Sequence, residues 1–230
     1  QAGYAMANKG PQHDEAWLIF MDKVNNQLPS FEDKAEALYY FPLFRTWFGL
    51  FGLCKLIWND VVPADNYLKK DAHKIPDHVY NYHRYVEAML GIKDMDEEKM
   101  LNQSARVYNL QRAMNRLMGF GTRKDDYPPY RGMGPVTIDE WEARLAYYDA
   151  QLKDVVKVDP VGKSTEEKIA ILRKYREEQY DTLVDVVYKR RGWTKNGVPT
   201  IDRLKELGID LPEIVEMVKK EGLLEETGKA

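Results

Sequence analysis

Apolar residues recur three and four positions apart along most of the chain, and no stretch alternates strictly between apolar and polar residues. Side chains at this spacing share one face of an α-helix, whereas a half-buried strand needs alternation. The first such stripe consists of Trp17, Leu18, Phe20, Met21 and Val24. The pattern therefore predicts an all-α fold, an irregular array of long helices.

Capping residues and helix breakers divide this pattern into segments. A Ser or Thr three residues before an acidic residue forms a capping box, as in Ser30–Asp33, Thr137–Glu140 and Ser164–Glu167. Pro42 should end or kink the helix that Ser30 starts, because proline lacks an N–H donor. The predicted helices span residues 14–26, 30–41, 43–58, 76–90, 96–119, 137–152, 164–191, 200–207 and 210–221. We expect a helical domain over residues 1–152 and a C-terminal helical extension over 153–230.

Composition excludes several classes of protein. The 34 basic and 37 acidic residues leave a net charge of −3, which is atypical of nucleic-acid binders and of polybasic membrane-surface proteins. No apolar run reaches the roughly 18 residues of a transmembrane helix. The single cysteine, Cys54, cannot form an internal disulfide, which favours a reducing cytoplasm. The opening residues do not have the pattern of a signal peptide. Because the first residue is Gln1 rather than methionine and the opening has the pattern of an internal loop and helix cap, we expect a fragment of a larger protein.

Two features leave alternatives open on pattern alone. Cys54, in a strongly apolar segment, is either a buried core thiol or a ligand of a metal or cluster. Basic residues follow one another along the longest helix and the loop after it, and they are Arg106, Arg112, Arg116, Arg123 and Arg131. They either form a solvated face that pairs with Asp125 and Asp126, or they contact an anion or cofactor.

Four segments, taken together, resemble a known family. They are residues 3–13 (GYAMANKGPQH), residues 52–54 (GLC), residues 106–131 with R-x-x-N-L-x-R-x-x-N at 106–115 and GFGTRKDDYPPYR at 119–131, and residues 188–208 (YKRRGWTKNGVPTIDRLKELG). Each segment resembles a motif of the tungsten-containing aldehyde ferredoxin oxidoreductase family, and the four occur in the same order as in that family. The resemblance implies the C-terminal helical portion of a cytoplasmic oxidoreductase that carries a tungsten bis-pyranopterin and a [4Fe–4S] cluster.

The resemblance also implies roles for particular residues. Cys54 would be the fourth cluster ligand, because the other three cysteines of the family lie in an upstream C-x-x-C-x-x-x-C motif. Gly52 and Leu53 would contact the pterin or the cluster through their backbone. His13 matches a family histidine and is a weak candidate for metal ligation or proton relay; capping of the next helix is the alternative. The implied partners are a small-molecule substrate and an electron-transfer iron–sulfur protein or subunit, in an oligomer.

The sequence departs from the family pattern at several points. Gly49 stands where the family has a pterin-binding aspartate before G-L-C, and Thr194 stands where an aspartate follows Gly-Trp. Residues 39–51 are unusually aromatic. These departures favour a branch similar to the active-site subunit of class II benzoyl-CoA reductase, with an aromatic acyl-CoA substrate in an apolar pocket. The alternatives are an aldehyde oxidoreductase, in which these aromatic residues only pack helices, and a non-catalytic helical interaction module.

Overall fold

A computed structural model of the chain describes residues 1–10, 18–19, 22, 28–53 and 82–226. Regular structure in these ranges is helical apart from one isolated β-bridge between Trp193 and Pro199. The predicted all-α fold is confirmed. Within the same ranges, no helix combines the length and the apolar character needed to span a bilayer.

The helices of the described residues are numbered here in chain order. They are α1 (Ala2–Ala5), α2 (Phe31–Leu50), α3 (Tyr82–Leu90), α4 (Glu97–Leu117), α5 (Ile138–Glu142), α6 (Leu145–Gln151), α7 (Thr165–Arg191), α8 (Ile201–Glu206) and α9 (Pro212–Glu226). A 3₁₀ turn spans Tyr130–Met133, and a π-helical turn spans Leu152–Val156. Most of the predicted helix 14–26, and the parts of two others within 54–81, lie outside the described residues.

Side-chain caps start several helices where the sequence predicts them. The capping box of Ser30 and Asp33 precedes α2, and that of Thr137 and Glu140 precedes α5. Each box satisfies backbone N–H groups that have no partner within the helix. These helix starts are therefore fixed by residues that are neighbours in sequence.

Pro42 does not end a helix, so of the two predicted outcomes, an end or a kink, the end is wrong. Helix α2 runs through Pro42 without interruption. Proline withholds the N–H that would bond to the carbonyl of Leu38, but Nη2 of Arg191 donates to this oxygen at 2.9 Å. The hydroxyl of Thr46 in turn donates to the Pro42 carbonyl at 2.7 Å. A tertiary hydrogen bond thus replaces the missing helical one.

The helix predicted over residues 137–152 is divided into α5 and α6 at Arg144, whose φ of −137° is not helical. In a continuous helix, residues 141 and 148 would lie about 10 Å apart along the axis. The break brings the rings of Trp141 and Tyr148 to 5.0 Å. It also lets Trp141 Nε1 donate to Asp149 at 3.2 Å.

The chain forms two compact units. The first comprises Gln1 and Pro128–Val184, with Trp141, Leu152 and Leu172 at its core. The second comprises Ala2–Tyr127 and Asp185–Ala230. One of its core clusters contains Phe44, Trp47, Phe48, Val86, Met95 and Met100. Helix α7 contributes residues to both units. The domain boundary expected after residue 152 stays a prediction.

Candidate functional site

A buried ion pair joins helix α4 to the loop that follows it. The Arg112 guanidinium donates to both oxygens of Asp126, at 2.9 and 2.7 Å. Only 1% of the Arg112 side chain and 5% of the Asp126 side chain are exposed. Two parallel charge-assisted hydrogen bonds of this kind give both strength and a fixed orientation. The pair therefore holds the loop in one position against the helix.

The C-terminal segment completes the polar shell of this pair. Arg112 Nε donates to the Gly197 carbonyl at 2.8 Å, and Arg112 Nη2 lies 3.2 Å from the Tyr188 hydroxyl. Tyr188 also donates to Asp126. Burial and the negative charge of Asp126 raise the pKa of Tyr188 well above its ordinary value. Tyr188 is therefore a neutral hydrogen-bond donor, and every ionised group of the shell has a partner.

Trp193 covers one face of the Arg112 guanidinium, whose central carbon lies 4.6 Å from the centroid of the Trp193 ring. Its Nε1 donates to Asn109 at 2.7 Å. The ring planes of Trp193 and Tyr108 lie 5° from parallel, with centroids 6.2 Å apart. We term Arg112, Asp126, Tyr188, Trp193 and Gly197 the arginine cluster. The cluster excludes water from its central charges.

The N-terminal segment contacts the same helix. The Tyr108 hydroxyl donates to the carbonyl of Met6 at 3.1 Å, and Asn8 Nδ2 donates to the carbonyl of Tyr108 at 2.8 Å. Asn115 Nδ2 donates back to the carbonyl of Asn8 at 2.7 Å. Residues 6–8, Asp126 and residues 188–197, which are distant in sequence, therefore converge on helix α4.

The arginines along helix α4 do not form one solvated face. Arg106 and Arg131 are exposed, whereas Arg112 and Arg116 are 1% and 8% exposed. Arg112 pairs with Asp126 and Arg116 pairs with Glu221. For these two residues the solvated interpretation is wrong, because each charge meets a buried or half-buried carboxylate. A ligand role is not needed to explain either of them.

The turn after α2 gives Gly52 and Leu53 a definite local role. The Leu53 N–H donates to the Phe48 carbonyl at 3.1 Å, and the Gly52 N–H donates to the Gly49 carbonyl at 3.2 Å. This is a Schellman cap, and the φ of 67° at Gly52 favours glycine. Leu53 packs against the cluster that contains Phe48. The C-terminal end of α2 and the turn through Leu53 are therefore fixed by backbone hydrogen bonds.

The geometry of this turn is compatible with the iron–sulfur cluster or pterin that residues 52–54 (G-L-C) imply. A Cβ at Gly52 would meet no heavy atom within 4 Å, so the backbone is open to close approach. Cys54 and His13 lie outside the described residues, and their roles stay predictions. Among the described residues, no three His, Cys, Asp or Glu side chains group as metal ligands. A cluster needs four thiolates, and the single cysteine of the chain supplies at most one.

Asp126 was expected from the sequence as a pairing partner of the arginines, and the pair with Arg112 confirms this. Tyr188 and Trp193 were not expected, although both lie in the segments that carried the resemblance. One signal was available: Asn109 and Arg112 are polar residues on the buried face of α4 that also carries Tyr108. Polar groups on an apolar face require partners. The pattern does not identify Tyr188 or Trp193 as partners of these two side chains.

The family model described as aldehyde ferredoxin oxidoreductase, domains 2 & 3, matches residues 1–209. The match includes all four segments and every residue of the arginine cluster. A search of curated proteins finds no match to the chain.

Proposed function

Because this chain belongs to the aldehyde ferredoxin oxidoreductase family, we propose that it is the helical part of a pterin-metal, iron–sulfur oxidoreductase. The observation that carries the proposal is the Schellman cap at Gly52 and Leu53, which ends α2 directly before the lone cysteine. A rigid turn is what a cluster ligand requires, since its sulfur must be held in place before the metal arrives.

Cys54 is proposed as the fourth thiolate of a [4Fe–4S] cluster, and three cysteines outside this chain would complete the set. Gly52 and Leu53 would face the cluster or the pterin through their backbone. When bound, the tungsten or molybdenum pterin supplies two-electron chemistry on the substrate, and the cluster passes single electrons to an iron–sulfur partner. The residues of this chain contribute position and exclusion of water.

The substrate is proposed only as a class, a small organic molecule open to oxidation or reduction. An aromatic acyl-CoA, predicted from the aromatic residues between 39 and 51, stays a prediction. Phe44, Trp47 and Phe48 are each at most 3% exposed and form a helix-packing core, so they do not supply the wall of an open pocket. Oxidation of aldehydes to carboxylic acids is the alternative, and turnover with each substrate class separates the two.

The decisive experiment compares Cys54→Ser with Leu53→Ala in the full-length enzyme purified without oxygen. Iron, acid-labile sulfide, tungsten and molybdenum are measured per chain, together with the electron paramagnetic resonance spectrum of the reduced cluster. We expect Cys54→Ser to lose or alter the cluster signal. Leu53→Ala, which removes packing at the same turn but leaves the thiol, should retain it.

An unchanged iron content and spectrum in Cys54→Ser would refute the ligand assignment. Absence of tungsten, molybdenum and iron from the wild-type enzyme, shown not to have lost metal to oxygen, would favour a non-catalytic helical module. For His13, His13→Gln should alter metal content or the pH profile of turnover if it is a ligand or proton relay. Loss of stability alone would indicate a helix cap.

A further inference from the structure

Helix α2 contains a buried defect at Pro42. The proline lacks the N–H that would satisfy the carbonyl of Leu38, and its ring crowds the same oxygen. Leu38 is 4% exposed, so water does not replace the lost donor. A buried carbonyl without a partner destabilises the segment that carries it. The defect therefore needs a donor from elsewhere in the fold.

Arg191 supplies that donor through Nη2, 2.9 Å from the Leu38 oxygen. The Arg191 side chain is 4% exposed, and its guanidinium carbon lies 4.8 Å from the ring centroid of Tyr108 and 5.0 Å from that of Trp193. Its Nε and Nη1 make no hydrogen bond with the described residues. Its directional polar contact with the described residues is thus the one to Leu38.

The segment that carries Arg191 is itself fixed. After α7, the Trp193 N–H donates to the Tyr188 carbonyl at 2.9 Å and the Gly192 N–H to the Lys189 carbonyl at 3.2 Å. This is a second Schellman cap, with Gly192 at a φ of 72°. The same turn delivers Trp193 to the arginine cluster. Arg191 therefore reaches α2 from a rigid base.

We propose that Arg191 is a positioning residue for the cluster ligand, because it replaces the helical donor lost at Pro42 and so fixes α2, whose C-terminal cap at Gly52 and Leu53 comes directly before Cys54 in the sequence. This inference rests on the proposed function of Cys54. It adds a link that neither sequence segment shows alone. Arg191, at the start of R-G-W (191–193), fixes the helix that precedes G-L-C (52–54) through the backbone carbonyl of Leu38.

The test uses the proline as its own control. Arg191→Gln, Pro42→Ala and the double variant are compared in the full-length enzyme. Alanine at position 42 restores the N–H, so the Leu38 carbonyl no longer needs the guanidinium. Arg190→Gln, with and without Pro42→Ala, is the matched control. Arg190 contacts the same helix through Glu36 and the rings of Tyr39 and Tyr40 rather than through the Leu38 carbonyl.

We expect Arg191→Gln to raise the unfolding equilibrium constant about tenfold or more. It should also lower the iron content per chain and change the electron paramagnetic resonance spectrum of the reduced cluster. Pro42→Ala should restore much of the stability and the spectrum in the Arg191 variant, but nothing in the Arg190 variant. If Arg191→Gln does not accumulate folded, Arg191→Lys takes its place in the same cycle.

Equal effects of the Arg191 variant with proline and with alanine at position 42 would overturn the donor role. An intact cluster in a destabilised Arg191→Gln would overturn the positioning role. The result for Cys54→Ser keeps the two hypotheses apart. If that variant keeps its cluster while positions 42 and 191 remain coupled in unfolding, the ligand assignment and the positioning role fail, but the donor role stands.

Discussion

Replacing Asp126 by asparagine keeps the shape of the side chain but removes the charge that faces Arg112. The guanidinium would keep the Gly197 carbonyl at 2.8 Å and the ring of Trp193, neither of which carries a negative charge. Breaking a buried ion pair by removing one partner costs about 3–5 kcal/mol. We expect the lower end, about 3 kcal/mol, since the amide oxygen still accepts one hydrogen bond.

The matched control is Asp185→Asn. Asp185 also pairs with an arginine, Arg123, at 2.5 Å, but its side chain is 53% exposed. An exposed pair contributes about 0–1 kcal/mol. Urea unfolding of the full chain at neutral pH, followed by tryptophan fluorescence, measures both variants. A loss of about 3 kcal/mol is a large part of a typical stability of about 5–15 kcal/mol.

Similar small losses in the two variants would refute the reasoning, because they would mean that water reaches Arg112 in the folded state. A second comparison tests the cause of the loss. The double variant Arg112→Met, Asp126→Leu leaves no unpaired charge. It should be less destabilised than Asp126→Leu alone.

Three further predictions concern the turns and the buried tyrosine. Gly197→Ala should cost about 3 kcal/mol or more, since its Cβ would lie 2.2 Å from Arg112 Nη2 at a φ of 78°; thermal unfolding close to wild type would contradict this. Gly52→Ala should destabilise the fold by about 1–2 kcal/mol, because alanine is strained at this positive φ. Gly222→Ala, in a helix with open space around its Cβ, should stabilise the fold by about 0.5–1 kcal/mol. Changes in the free energy of unfolding with the same sign for the two variants would argue against both predictions. The pKa of Tyr188 is raised above its ordinary 10.0, so the unfolded chain ionises first and stability should fall as pH rises above 10. Tyr188→Phe should show a shallower decline, measured by denaturant unfolding across that range, and parallel curves would contradict the assignment.

Local signals predicted much of the helical pattern. The capping boxes at Ser30 and Thr137 form as expected, because their hydrogen bonds join residues three apart. The Asp96 cap and the glycine at 119 bound α4 close to the predicted ends. The same local reasoning failed at Arg144. There the break serves contacts of Trp141 that a continuous helix does not allow.

The candidate site was predicted less completely. The segments were identified, but the helix predicted over residues 43–58 runs through Gly52, and only the structure ends α2 at Leu50 with Gly52 in a turn. The burial of Arg112 and Arg116 did not follow from the sequence, because arginines have the same spacing on a solvated face and on a buried one. Their partners Asp126 and Glu221 decide between the two.

Most helix starts could be predicted from the sequence, because capping and the i to i+4 bonds of a helix act over a few residues. The continuation of α2 through Pro42 and the burial of Arg112 depend instead on contacts formed by the fold. The donor for Leu38 is 153 residues away in sequence, and the acceptor at Gly197 is 85 residues from Arg112. Partners so distant leave no local pattern, and folding brings them together because a buried polar group must be paired.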